Sequence, residues 1–198
     1  MHRDAQITII MGKNGTGKSF LAEKVIKAMK KPTVVVTSNG APKIWRKYPV
    51  IDPADPASWE FKKGIKQVYF DQYEKQKTFE YIYRHIHDKN ILFDDCKEYI
   101  KNDLDAQPYL KKLFSQFRHK MMDMFFVCHA PDDVPKKFWI YYSTAFIGAT
   151  DVMFDKSRIS LYSVHKIIAA QQKVNKAFSI AKAKNNGSHY GIFQMVTP

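Results

Sequence analysis

The sequence predicts an α/β fold, a mostly parallel central sheet flanked by helices. Two observations predict it. Short apolar and β-branched runs alternate along the chain with segments of helical period. The first such run also passes into a glycine-rich turn and then an amphipathic helix.

Each element follows in order. Residues 6–11, QITIIM, read as a buried strand, and residues 12–19 as the glycine-rich turn. Leu21, Ala22, Val25, Ile26 and Met29 recur at helical spacing over 18–30, and Pro32 stops that helix. Residues 33–38, TVVVTS, are β-branched and strand-like, and Asn39-Gly40 marks a turn. Residues 40–64, broken by Pro42, Pro49, Pro53 and Pro56, form a long irregular excursion. A short strand is expected at 67–71, a helix at 74–87 and a strand at 90–95 ending in two acids. Leu110, Leu113, Phe114 and Phe117 share one face of a helix over 107–119. Residues 123–129, DMFFVCH, form a buried strand with a polar tip. Pro131 and Pro135 bracket a turn and short helix, and 144–149 is a further strand. A helix over 166–184 and a strand around 190–196 complete the order. Ligands in such sheets bind at the carboxyl ends of the strands, so every candidate residue below is expected at such an end.

The 198 residues, 45% hydrophobic and 26% charged, suit one folded domain over 1–198, with a core at 6–150 and a basic extension at 151–198. No apolar run reaches the ~20 residues of a membrane helix, and no secretory leader is evident, so the expected location is the cytoplasm. Cys96 and Cys128 lie inside apolar runs and read as buried free thiols. The net charge is +13, and residues 156–198 hold no acid but carry Lys156, Arg158, Lys166, Lys173, Lys176, Lys182 and Lys184. Such one-sided charge points to a polyanion, nucleic acid first and an anionic membrane surface second.

Gly12-Lys13-Asn14-Gly15-Thr16-Gly17-Lys18-Ser19 matches G-x4-G-K-[ST] in full, between a strand and a helix. Glycines let the backbone curl so that its N–H groups face a phosphate, and the helix adds its positive end. Lys18 would reach the β- and γ-phosphates of ATP, and the Ser19 hydroxyl would help hold Mg²⁺. The strand ending Asp94-Asp95 supplies the acids such a site needs. Asp94 is assigned to the metal and Asp95 to the attacking water as base, with the two roles exchangeable. His129, at the next strand tip, is either a sensor of the γ-phosphate or a histidine satisfied by loop backbone. Arg118 is either an arginine finger, in its own subunit or a neighbour's, or a cation at a helix end. Trp45, Arg46 and Trp59 in the proline-rich stretch, like the acid-free tail, are candidate DNA or partner surfaces. The two tryptophans read equally as packing residues.

The phosphate loop, the Asp94-Asp95 strand end, and the run Leu113–His119 before a strand with a polar tip resemble the HerA/FtsK superfamily of P-loop ATPases. Within it the likeness is to viral genome-packaging ATPases of the poxvirus and membrane-containing phage kind, over about residues 6–150. Phage assembly ATPases of the zonula-occludens-toxin type are similar, with poorer agreement at the acids. Packaging ATPases usually carry glutamine where His129 stands. The resemblance implies the additional-strand, RecA-like order, in which strand 123–129 lies between the phosphate-loop strand and the acidic strand. It also implies a homo-oligomeric ring, ATP-driven movement of double-stranded DNA and Arg118 acting in trans. A portal or capsid-vertex partner, with virion association, goes with it. Two other classes compete. A small-molecule kinase would need an acid near the end of strand 33–38, where Ser38 and Asn39 stand. A nucleotide-gated assembly factor would turn over slowly and ignore DNA.

Overall fold

The computed structural model describes residues 4–38, 42–70, 75–101, 103–155, 164–184 and 189–198. The turn expected at Asn39-Gly40 lies outside them, as do Lys156 and Arg158 of the basic tail.

Among the described residues, seven strands form one sheet: β1 (Ile7–Met11), β2 (Thr33–Ser38), β3 (Ile65–Phe70), β4 (Asn90–Phe93), β5 (Met124–Cys128), β6 (Thr144–Ile147) and β7 (Gln194–Val196). Their order is β3-β2-β4-β5-β1-β6-β7. All neighbours are parallel except β6 and β7, which are antiparallel. The strand 123–129 therefore does lie between the phosphate-loop strand and the acidic strand, in register Ile9↔Phe126 and Leu92↔Phe125. The described residues also form five α-helices: α1 (Lys18–Ala28), α2 (Lys75–His85), α3 (Pro108–Gln116), α4 (Lys136–Ile140) and α5 (Val164–Ala183).

Every residue of β1 and β5 is buried, as a sheet covered on both faces requires. Side chains alternate between two cores. Ile10, Val35, Leu92, Phe125 and Val127 pack with Ala22 and Ile26 of α1 and with Trp45. Ile9, Val36, Phe93 and Phe126 pack on the other face with Phe79 of α2, Leu113 of α3, Phe138 of α4 and Ile167 of α5. The aromatic cluster there is dense, with Phe126 stacked on Phe138 at 4.3 Å and on Phe93 at 5.3 Å. Cys96 and Cys128 are buried free thiols.

The excursion after β2 returns through Val50, which bridges Gln67 of β3. It contains one turn of 3-10 helix, Pro56–Trp59. Trp45 and Trp59 are 0% and 1% exposed. They are core residues, so neither offers a stacking surface to DNA. Among the described residues, no helix is long and apolar enough to cross a membrane.

Candidate functional site

The phosphate loop leaves the carboxyl end of β1 and curls around one carbonyl. Lys13 O accepts from Thr16 N at 3.3 Å, from Thr16 Oγ1 at 2.8 Å and from Lys18 Nζ at 3.2 Å. Gly17 enters α1 with φ 90°, a conformation L side chains rarely adopt. Gly12 has no room for a side chain, because a Cβ there would sit 2.8 Å from Thr16 Oγ1. The tip of β5 and the loop after β6 anchor the phosphate loop: Gly12 N donates to Cys128 O at 3.1 Å and Lys13 N to Ala149 O at 2.7 Å. The Lys13 ammonium pairs with Asp151 at 2.7 Å, while Asn14 and Gly15 lie on the exposed rim.

Beyond the loop, the tips of β4 and β5 bring Asp94, Asp95 and His129 to Lys18 and Ser19. Ser19 Oγ donates to Asp94, 3.1 Å from Oδ1 and 3.3 Å from Oδ2. Trp45 Nε1 donates to Asp94 Oδ2 at 2.5 Å. Burial pushes the Asp94 carboxyl above its ordinary pKa, against the pull of the Trp45 and Ser19 donors. Lys18 is buried too, and desolvation lowers its pKa despite the nearby acids.

His129 bridges the remaining pair. Its Nδ1 is 3.2 Å from Lys18 Nζ and its Nε2 is 3.0 Å from Asp95 Oδ1. An ammonium can only donate, so Nδ1 accepts, and the tautomer that satisfies both contacts carries its hydrogen on Nε2. Burial tends to raise the Asp95 carboxyl, but His129 outweighs it and holds the pKa below its ordinary value. Asp95 also has φ 52°, a left-handed conformation that non-glycine residues reach at a cost. The loop under His129 is fixed by Asp133, whose Oδ2 accepts from the N–H of His129 and of Ala130, both at 2.8 Å.

The Ser19–Asp94 pair fits a magnesium ion. Mg²⁺ takes ligands at about 2.1 Å in octahedral geometry, so two adjacent ligand oxygens lie about 3.0 Å apart. The 3.1 Å between Ser19 Oγ and Asp94 Oδ1 matches that edge. Two protein oxygens suffice where phosphates and water complete the shell. Among the described residues no cluster of three or more His, Cys, Asp or Glu forms a separate metal site.

Arg118 is not part of this constellation. It follows α3, whose carboxyl end lies at the amino ends of the strands, and it lines a cleft of about 890 Å³ with Lys30, Lys31, Lys62, Lys89 and Asp123. Its guanidinium lies over the Phe117 ring at 5.6 Å. The expectation that every candidate residue stands at a strand's carboxyl end fails here. A helix joining two parallel strands must run back against them, so its carboxyl end falls at the opposite edge.

Four residues beside the site were not singled out from the sequence for the parts they play. Trp45 holds Asp94, and Asp133 holds the His129 loop. Tyr99, buried, sets its hydroxyl on the Val36 carbonyl at 2.9 Å and on that of Asp94. Gly191, from the far end of the chain, donates to the Thr16 carbonyl of the phosphate loop at 3.0 Å.

The whole architecture recurs in solved structures. The genome packaging NTPase B204 of Sulfolobus turreted icosahedral virus 2, in complex with AMP, superposes with TM-score 0.66 at 16% identity, covering 86% of each chain. Its complex with ATP-gammaS gives 0.62 at 17% identity, again over 86% of each chain. B204 from Sulfolobus Turreted Icosahedral Virus, described as a DNA-packaging ATPase, gives 0.63 at 17% identity over 89% of each chain. The chain thus has the α/β fold of these P-loop packaging ATPases. No protein-family model matches it, and no curated protein matches it in sequence.

Proposed function

We propose that the protein is an ATP-hydrolysing motor that moves double-stranded DNA, the genome-packaging ATPase of a virus. The observation that carries the hydrolytic part is the convergence of Lys18, Ser19, Asp94, Asp95 and His129 on one phosphate loop. In this reading Gly12 to Ser19 wrap the β- and γ-phosphates with backbone N–H groups, and Lys18 adds a point charge. Ser19 and Asp94 hold Mg²⁺, which neutralises charge on the phosphate oxygens. Asp95 accepts the proton of the attacking water and His129 keeps it oriented, which is why its pKa must stay low enough to remain ionised. In the sensor role His129 gives up its Lys18 contact when nucleotide is present and donates to a γ-phosphate oxygen instead, which requires a hydrogen on Nδ1 as well as the one on Nε2.

The net charge of +13 and the acid-free tail supply the attraction for a polyanion, and the packaging-ATPase fold makes DNA the fitting one. Arg118 stands at the far edge of the sheet from its own phosphate loop, so within this reading it serves a neighbouring subunit of a ring. Ring assembly on a portal or capsid vertex, in the host cytoplasm or on the virion, follows from the same proposal.

Steady-state ATP hydrolysis tests it, measured with and without double-stranded DNA across protein concentration and salt. Stimulation by DNA that weakens with salt and rises steeply with concentration supports an assembling DNA motor. A flat, DNA-independent rate assigns the site to a nucleotide-gated assembly factor instead.

A further inference from the structure

Asp94, Asp95 and His129 all lie on the β4–β5 side of the phosphate loop. A triphosphate with its terminal phosphate towards them sends its nucleoside the other way, over β6 and β7. The wall on that side is built from two segments. The loop after β6 contributes the Ala149 carbonyl to Lys13 N, and Thr150 is tied to Asn175 of α5 at 2.9 Å. The segment before β7 contributes Gly191, pinned to Thr16.

Next to Gly191 stands Tyr190, 61% exposed. Its ring lies against that of His189, centroids 4.5 Å apart and inclined by 30°. His189 is in turn held edge-on by Phe178 at 5.4 Å. Tyr190 is therefore backed by a braced ring, fixed in sequence beside a backbone contact to the phosphate loop, and open to solvent. An apolar ring held open beside a ligand loop suits a flat aromatic partner.

We propose that Tyr190 is the platform on which the nucleotide's base stacks, so that the carboxyl-terminal segment completes the nucleotide site. The inference rests on the phosphate-loop reading above. Stacking reads a π-face rather than a hydrogen-bond pattern, and the chain has no Asn-Lys-x-Asp box for guanine.

Calorimetric titration with Mg-ATP and with Mg-tripolyphosphate, which has no base, separates the two ideas. Tyr190→Ala is expected to weaken ATP binding about tenfold, within the range one base–aromatic stack contributes, and to leave tripolyphosphate binding unchanged. Tyr190→Phe keeps the ring and should bind ATP as the parent chain does. ATP binding unaltered in Tyr190→Ala overturns the proposal. So does an equal loss for ATP and tripolyphosphate, which would mean that Tyr190 only supports the loop through Gly191. A parent chain that binds neither ligand overturns the phosphate-loop reading, and this inference with it. Unfolding midpoints of both variants should match the parent's, since the side chain is exposed.

Discussion

Replacing Trp45 with phenylalanine probes the support of Asp94, the acid proposed to hold the metal. Trp45 is fully buried, and its indole N–H donates to Asp94 Oδ2. Phenylalanine keeps most of the packing with Ala22, Ile26 and Leu92 but deletes the donor. A hydrogen bond to a charged acceptor contributes about 1.5–3 kcal/mol. The smaller ring leaves a void that costs on the order of 1–2 kcal/mol more. Trp45→Phe should therefore destabilise the fold by roughly 2.5–5 kcal/mol in urea titration. A double-mutant cycle with Asp94→Ala isolates the hydrogen bond, because the void is common to both backgrounds. The coupling expected is about 1.5–3 kcal/mol. Loss of the donor also lets burial push the Asp94 carboxyl further up, so the variant should need more Mg²⁺ to bind ATP. A coupling near zero, with an unchanged Mg²⁺ titration, would show that the Trp45 N–H does not support Asp94.

Lys18→Ala should abolish hydrolysis by removing the β/γ-phosphate charge, and turnover at the parent rate would refute the loop assignment. Chains carrying Arg118→Ala mixed with chains carrying Asp95→Ala should regain some activity, because some interfaces then hold both groups. Absence of rescue in assemblies shown to be mixed counts against action in trans. Glu23 offers a pH test away from the site. Burial raises its carboxyl, but Lys27, Lys47 and Tyr48 outweigh burial and bring it to about 2, from an ordinary 4.5. Stability from this cluster is full above pH 4.5 and is lost as pH falls through that range towards 2. Glu23→Gln should lower stability at pH 7 by about 1–2 kcal/mol, since its lysine partners are half exposed, and should flatten the acid branch of the urea midpoint. An acid branch identical to the parent's would exclude the cluster as its source.

Much of this was legible in local pattern. The phosphate loop is contiguous, so eight consecutive residues carry it. The Asp94-Asp95 strand end is equally local, and the place of β5 between β1 and β4 followed from the resemblance. The remainder lies in contacts between distant parts of the chain. Trp45 meets Asp94 across a proline-rich excursion, and no spacing rule links them. Gly191 meets Thr16 from the other end of the chain. Arg118 is different, because its position was derivable. Its helix joins two parallel strands, and that alone places its end opposite the phosphate loop. Boundaries shifted where side-chain pattern and backbone pairing diverge. β3 begins at Ile65 rather than at residue 67 because its pairing with β2 starts at Thr33↔Ile65.

In the proposed function, ATP hydrolysis drives movement along double-stranded DNA. Displacement of a triplex-forming strand from a duplex measures this directly. The expected displacement requires ATP, fails with a non-hydrolysable analogue and is absent in Lys18→Ala. A triplex left intact by an assembled protein that is hydrolysing ATP on that DNA would contradict it.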